Sequence, residues 1–102
     1  MYIIIQTTTG NKKEAKKLAQ LLITKKLAAC IQISKINSFY TWENKLCMDK
    51  ERLLSIKTKQ EHYEKIENLI KENHSYETPE IISYELTNLS KAYALFINEN
   101  TQ

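Results

Sequence analysis

Two histidines (His62, His74) and two cysteines (Cys30, Cys47) are the side chains here with the strongest affinity for copper or zinc. Such sites take three or four ligands. His62 and His74 lie twelve residues apart on one predicted helix. That is about 18 Å, too far to share an ion within one chain. Cys30 and Cys47 form no CxxC pair and no disulfide framework. A hairpin turning near residue 44 sets Cys47 opposite residues around 42 and leaves Cys30 far down the other arm. Both thiols read as free, with Cys30 a small buried hydrophobe between alanines and an apolar strand. His62 reads as surface. His74 keeps two readings. One is a polar side chain closing a helix, favoured by the helix dipole. The other is one ligand of a metal site that symmetry-related copies complete.

His74 opens the stretch "NHSYETPEII" (73–82), which holds the only proline, Pro79, among Tyr76, Glu77 and Glu80. Proline disfavours helix at Thr78, so a helix stops here and a strand starts. Tyr40 and Trp42 are two apart on a predicted strand and share a face. They read as packing or interface anchors, or as the wall of a ligand cleft between subunits. Lys57 sits between Ile56 and Thr58 on a strand expected to be central. A buried lysine there needs an acid partner, with Glu80, Glu77 and Glu43 as candidates. Such a pair either fixes strand register or, with Tyr76 and Trp42, lines a polar cleft.

Catalytic signals are lacking. There is no GxSxG elbow, Walker loop or paired-histidine motif. The turn "TTTGNKK" has one glycine and no arginine, short of what a phosphate cradle needs. The expectation is a protein that is not an enzyme. Composition agrees with a soluble binding or structural domain: 42% hydrophobic, 26% charged, net charge +3. Arg52 is the only arginine among 15 basic residues, and the lysines occur throughout. The basic balance therefore reads as solvated surface rather than a nucleic-acid footprint. The opening "MYIIIQTTTG" carries no basic leader, and its apolar run is too short for a membrane span. The expected setting is cytoplasmic, without membrane or nucleic-acid partners.

One domain spanning 1–102 is expected. "YIIIQTT" (2–8) reads as a strand, with Gly10 in the following turn. Residues 11–26 read as a helix with Ala15, Leu18, Ala19, Leu22 and Ile23 on one face, Asn11 as cap and Glu14 completing a capping box. Residues 28–36 alternate as a strand. The stretch 37–50 runs through "FYTW" to a turn near Glu43–Asn44–Lys45, and 51–59 returns as a strand. A second helix covers 60–74 with Tyr63, Ile66, Leu69 and Ile70 inward, a strand 79–86, and a short helix within 88–100 packing Tyr93, Leu95 or Phe96, and Ile97. The order β-α-β-β-α-β plus a tail is that of an α+β, ferredoxin-like split βαβ fold with a long β2–β3 hairpin. Helices are expected on one sheet face, leaving the other to solvent or a partner. Ile-rich strands and the aromatic hairpin favour a homo-oligomer.

Several segments together resemble one family, the CutA divalent-cation tolerance proteins. "KKLAAC" (25–30) is similar to its helix-to-strand junction, and "SFYTWENK" (38–45) to its Tyr-x-Trp-Glu-Gly-Lys hairpin motif. "LLSIKT" (53–58), "HSYETPEII" (74–82) and "AYALFI" (92–97) resemble its central strand, its signature and its closing helix. The likeness runs through nearly the whole chain. It implies a ferredoxin-like homotrimer assembled by edge-strand pairing, and tolerance of copper or another divalent metal without an organic cofactor. It also implies architectural kinship with the trimeric PII signalling proteins, which bind a small metabolite in inter-subunit clefts. Ser75, Asn44 and Phe96 replace a proline, a glycine and a tryptophan of the family pattern. Some members place a metal-binding cysteine near Gln6–Thr7 and a histidine at the place of Asn73, so among those ligands only His74 carries over.

Overall fold

Alternation along the first strand sets the layering. In the computed structural model, which describes residues 1–102, β1 spans Tyr2–Thr9 and buries Ile3, Ile5 and Thr7 on one side. The chain continues through α1 (Lys12–Thr24), β2 (Cys30–Trp42), β3 (Lys45–Lys59), a 3₁₀ turn (Gln60–His62), α2 (Tyr63–Asn73), β4 (Ile81–Glu85) and α3 (Lys91–Glu99). The strands form one sheet in the order β2-β3-β1-β4, with every neighbouring pair antiparallel. This is a mixed α+β fold with three helices.

Ile5 pairs with Ile56 and Thr7 with Leu54, so β1 and β3 present one apolar face. Leu18 and Leu22 of α1 and Ile66 and Ile70 of α2 pack into the same core, all essentially without solvent exposure. Each such side chain contributes about 1.5–3 kcal/mol by leaving water. Ile23, expected on the inner face of α1, lies at its edge and is exposed.

The third helix departs from the one-face expectation. Asn98 donates to the Tyr2 hydroxyl (2.6 Å), and Lys57 Nζ stands 5.6 Å from the centre of the Tyr93 ring. Tyr2 and Lys57 belong to the opposite register from Ile3 and Ile56, so α3 covers one end of the other sheet face. Its buried anchor is Ile97, while Leu95 is exposed.

His62 is buried, not superficial. The 3₁₀ turn directs its ring inward, and its Nε2 donates to the backbone oxygen of Gln102 at 2.7 Å. The capping box is also only half formed. Asn11 Oδ1 accepts from Glu14 N (2.8 Å), but the Glu14 carboxylate turns away to Ser75.

Two backbone sites decide connection geometry. Glu43 and Asn44 both have positive φ (50° and 64°), as a two-residue hairpin of the type I′ kind requires. Trp42 therefore pairs with Lys45, and Tyr40 with Cys47. At the end of α1, Lys26 has φ 57°. Its N–H bonds to Ile23 O, and the Leu27 N–H to Leu22 O, which is the Schellman pattern normally closed by glycine. Replacing Lys26 by glycine removes the left-handed strain of a side-chain-bearing residue. Lys26→Gly should raise unfolding free energy by about 0.5–1 kcal/mol in urea denaturation. An unchanged or lowered midpoint would contradict that account.

Candidate functional site

β2 and β3 outrun the rest of the sheet. Pairing of β1 with β3 stops at Thr9–Arg52, whereas β2 and β3 stay paired to Trp42–Lys45. The result is a two-stranded arm, and alternation divides its side chains between two faces. Tyr40 and Trp42 share one face with Asp49 and Glu51 across the ladder. The segment between α2 and β4 folds against this face. Together they enclose a cleft of about 690 Å³, lined by Tyr40, Trp42, Phe39, Ser38, Asp49, Glu51, Thr8, Tyr76, Glu77, Thr78 and Glu80. Five of the seven cleft residues expected from sequence meet here.

Glu43 and Lys57 do not line it. Glu43 occupies the hairpin turn, beyond the residues that line the cleft. Lys57 lies further down the sheet, opposite Cys30. Its partner is the amide oxygen of Gln32 at 2.7 Å, with the Tyr93 ring alongside, and no carboxylate pairs with it. A half-exposed ammonium is satisfied by such neutral partners and needs no buried acid.

Two tyrosine–carboxylate bonds fix the cleft. The Tyr40 hydroxyl donates to Asp49 Oδ2. That bond, with nearby negative charge, pushes the phenol up to about 12. The Tyr76 hydroxyl donates to Glu51 Oε2 at 2.7 Å; burial first, then the Glu51 carboxylate, raises its pKa as well. Gly10 leaves room for this hydroxyl: a Cβ there would lie 3.1 Å from the oxygen. Asp49 and Glu51 were missed in the sequence. The signal was the Asn44 turn, which fixes the register and puts Asp49 diagonally across from Tyr40.

His74 holds the Tyr76 segment in place. Its side chain is wholly buried. Nε2 donates to the carbonyl of Thr8 (2.6 Å), and Nδ1 accepts from the backbone N–H of Tyr76 (3.0 Å). The imidazole also packs on the Tyr76 ring, with centroids 4.8 Å apart. Glu14 Oε1 approaches Nδ1 to 3.4 Å while accepting from Ser75 N and Oγ. His74 thus bridges to β1 rather than capping the carbonyls of α2. Both ring nitrogens are engaged, so neither is offered to a metal within this chain. No cluster of three or more His, Cys, Asp or Glu side chains is arranged to hold an ion. A copper or zinc ion does not fit the donor set of a single chain.

An antiparallel sheet with helices on both faces and a hydrogen-bonded acidic, aromatic cleft defines a class of small α+β sheet proteins built around a ligand-sized recess. Within that class the assignment is specific. The family model for the CutA1 divalent ion tolerance protein matches residues 3–100, and the chain belongs to that family. The chain is 38% identical over 101 residues to the chloroplastic protein CutA of Arabidopsis thaliana, covering 98% of itself and 56% of that relative. It thus spans little more than half the length of that plant protein. It is 33% identical to the divalent-cation tolerance protein CutA of Archaeoglobus fulgidus, with both chains fully covered. The solved structure of that archaeal protein, described as periplasmic, superimposes with a TM-score of 0.98 over all of both chains. The rice CutA1 structure, 35% identical, gives 0.96 over 99% of this chain and 94% of that one.

The Tyr40 bond carries a pH signature. A phenol whose folded-state pKa is raised contributes stability below its unfolded value near 10, and loses it as pH rises through about 12. Ultraviolet phenolate titration should therefore show Tyr40 ionising near pH 12, falling toward about 10 in Asp49→Ala. Identical curves for the two proteins would remove Asp49 as the cause. Tyr76→Phe leaves the buried Glu51 carboxylate short of a donor and should cost about 1–3 kcal/mol in denaturant unfolding.

Proposed function

We infer that this chain serves divalent-cation tolerance as a homotrimer without enzymatic chemistry, and that any copper it meets is bound where subunits join. The observation that carries this reading is His74. The one metal-type residue shared with the family's ligand pattern is buried in protein hydrogen bonds. The strand order β2-β3-β1-β4, with α1 and α2 on one face, supports the ferredoxin-like arrangement. The uncovered arm supports the trimer: Phe39, Trp42 and Leu46 are 70%, 63% and 81% exposed, an apolar display that a lone soluble chain rarely keeps.

A second reading is favoured by the cleft. Its volume lies within the roughly 300–1,000 Å³ range of small-molecule pockets. Glu77 and Glu80 on its rim are exposed and free to meet a ligand. In that reading the trimer is a PII-like signalling module that takes a small metabolite between subunits.

Calorimetric titration of the metal-free protein with Cu(II), in a non-chelating buffer, tests the first reading. Saturable binding at a fixed ratio per trimer is expected, and His74→Gln should keep it while lowering the melting temperature; no saturable binding by the native protein would overturn the reading. Loss of a fixed stoichiometry in a still-folded His74→Gln protein would establish His74 as a ligand and overturn the assignment of its ring to the Thr8 and Tyr76 bonds.

A further inference from the structure

The arm's other face has the opposite chemistry. Lys35, Asn37, Lys50 and Arg52 share it, because β2–β3 pairing sets Lys35 against Arg52 and Asn37 against Lys50. The face looks across a cavity of about 580 Å³ to Asn11 and Lys12 at the start of α1. Four cations line this space, and none has an ion pair; the chain's pairs are Lys71–Glu67 and His74–Glu14. The one carboxylate in the lining, Glu51, already accepts the Tyr76 hydroxyl.

Each placement is unfavourable in the bare chain. Like charges directly opposite on neighbouring strands destabilise a sheet. Lysine in the first turn of a helix opposes the positive end of its dipole. Asn11 caps the Glu14 N–H, which leaves the Lys12 and Lys13 N–H groups of α1 without an intrahelical acceptor, and Asn11 and Lys12 line the same cavity. Arg52 supplies the planar guanidinium that the "TTTGNKK" turn lacks in sequence, since it pairs with Thr9 at the end of β1.

The geometry points to a binding site for a small soluble polyanion carrying two or more phosphate groups, held between the arm and the N-terminus of α1. Four cations spread between the arm and α1 can engage more than one phosphate group at once, and a bound polyanion relieves the Lys35–Arg52 repulsion.

Inorganic pyrophosphate is the probe, titrated calorimetrically at low and physiological ionic strength, with inorganic phosphate as the single-group comparison. Saturable binding at one per chain is expected, tighter than for phosphate and weakened by added salt. Arg52→Ala and Lys50→Ala should each weaken it by about tenfold or more, while Lys65→Ala on the far surface of α2 leaves it unchanged. Lys35→Ala gives the sharpest signature: it should raise the melting temperature of the free protein and still weaken pyrophosphate. A purely structural role cannot do both. Absence of saturable binding by the folded native protein would overturn the site. So would equal weakening in Lys65→Ala, or binding only to vesicles of anionic phospholipid. A change of oligomeric mass in Arg52→Ala without any pyrophosphate binding would reassign the cavity to a contact between copies.

Discussion

The strand lengths do not match, and much of this molecule follows from that mismatch. β1 has 8 residues, β2 has 13 and β3 has 15. Helices long enough to cover β1 cannot cover the β2–β3 ribbon that continues past Thr9. An isolated two-stranded ribbon is at best marginal in water. Here cross-strand contacts, the tight Glu43–Asn44 turn and the packing of the Tyr76 segment support it. Because strand side chains alternate, the arm has two different faces. One carries Tyr40, Trp42, Asp49 and Glu51; the other carries Lys35, Lys50 and Arg52. An acidic, aromatic cleft and a basic cavity thus lie on opposite faces of the arm, with Glu51 at the edge of both.

Glu51 and His74 link the arm to the body. Glu51 is buried and accepts from Tyr76; the Tyr76 N–H is held by His74; and His74 reaches across to Thr8 on β1. The family signature "HSYETPEII" is, in this chain, a strap that fixes the cleft's floor. The chain belongs to the divalent ion tolerance family, yet no three of its His, Cys, Asp or Glu side chains are grouped to hold an ion. Its conspicuous histidine is engaged by Thr8 and Tyr76 within the chain, while the carboxylates, phenols and unpaired cations of the arm stay at the surface of the two recesses.

Much of the fold was legible in the residues. Apolar spacing gave both long helices, Asn11 gave the cap of α1, and Pro79 marked the passage from α2 to β4. The arm was harder to read because residues 37–50 mix aromatic, polar and charged side chains with no buried face to impose a period. Five cleft residues were found through Tyr40, Trp42 and the signature. Asp49 and Glu51 were missed because their role depends on a register set by two left-handed residues at the turn. Lys57 was misjudged because a lysine between apolar neighbours suggests burial, whereas its ammonium reaches Gln32 and Tyr93 on a half-open face. His62 was misplaced because the end of the chain returns to cover it, and α3, legible as a short helix packing Ile97, lies on the sheet face expected to be left to solvent or a partner.

The proposed trimer needs the exposed apolar side chains of the arm to be covered by another copy. Light scattering coupled to size-exclusion chromatography, at micromolar protein, tests it most directly. The account predicts a mass three times that of the 12.0 kDa chain, falling when Trp42 and Leu46 are together replaced by aspartate. A stable monomer of the native chain, with these side chains left in water, would contradict it.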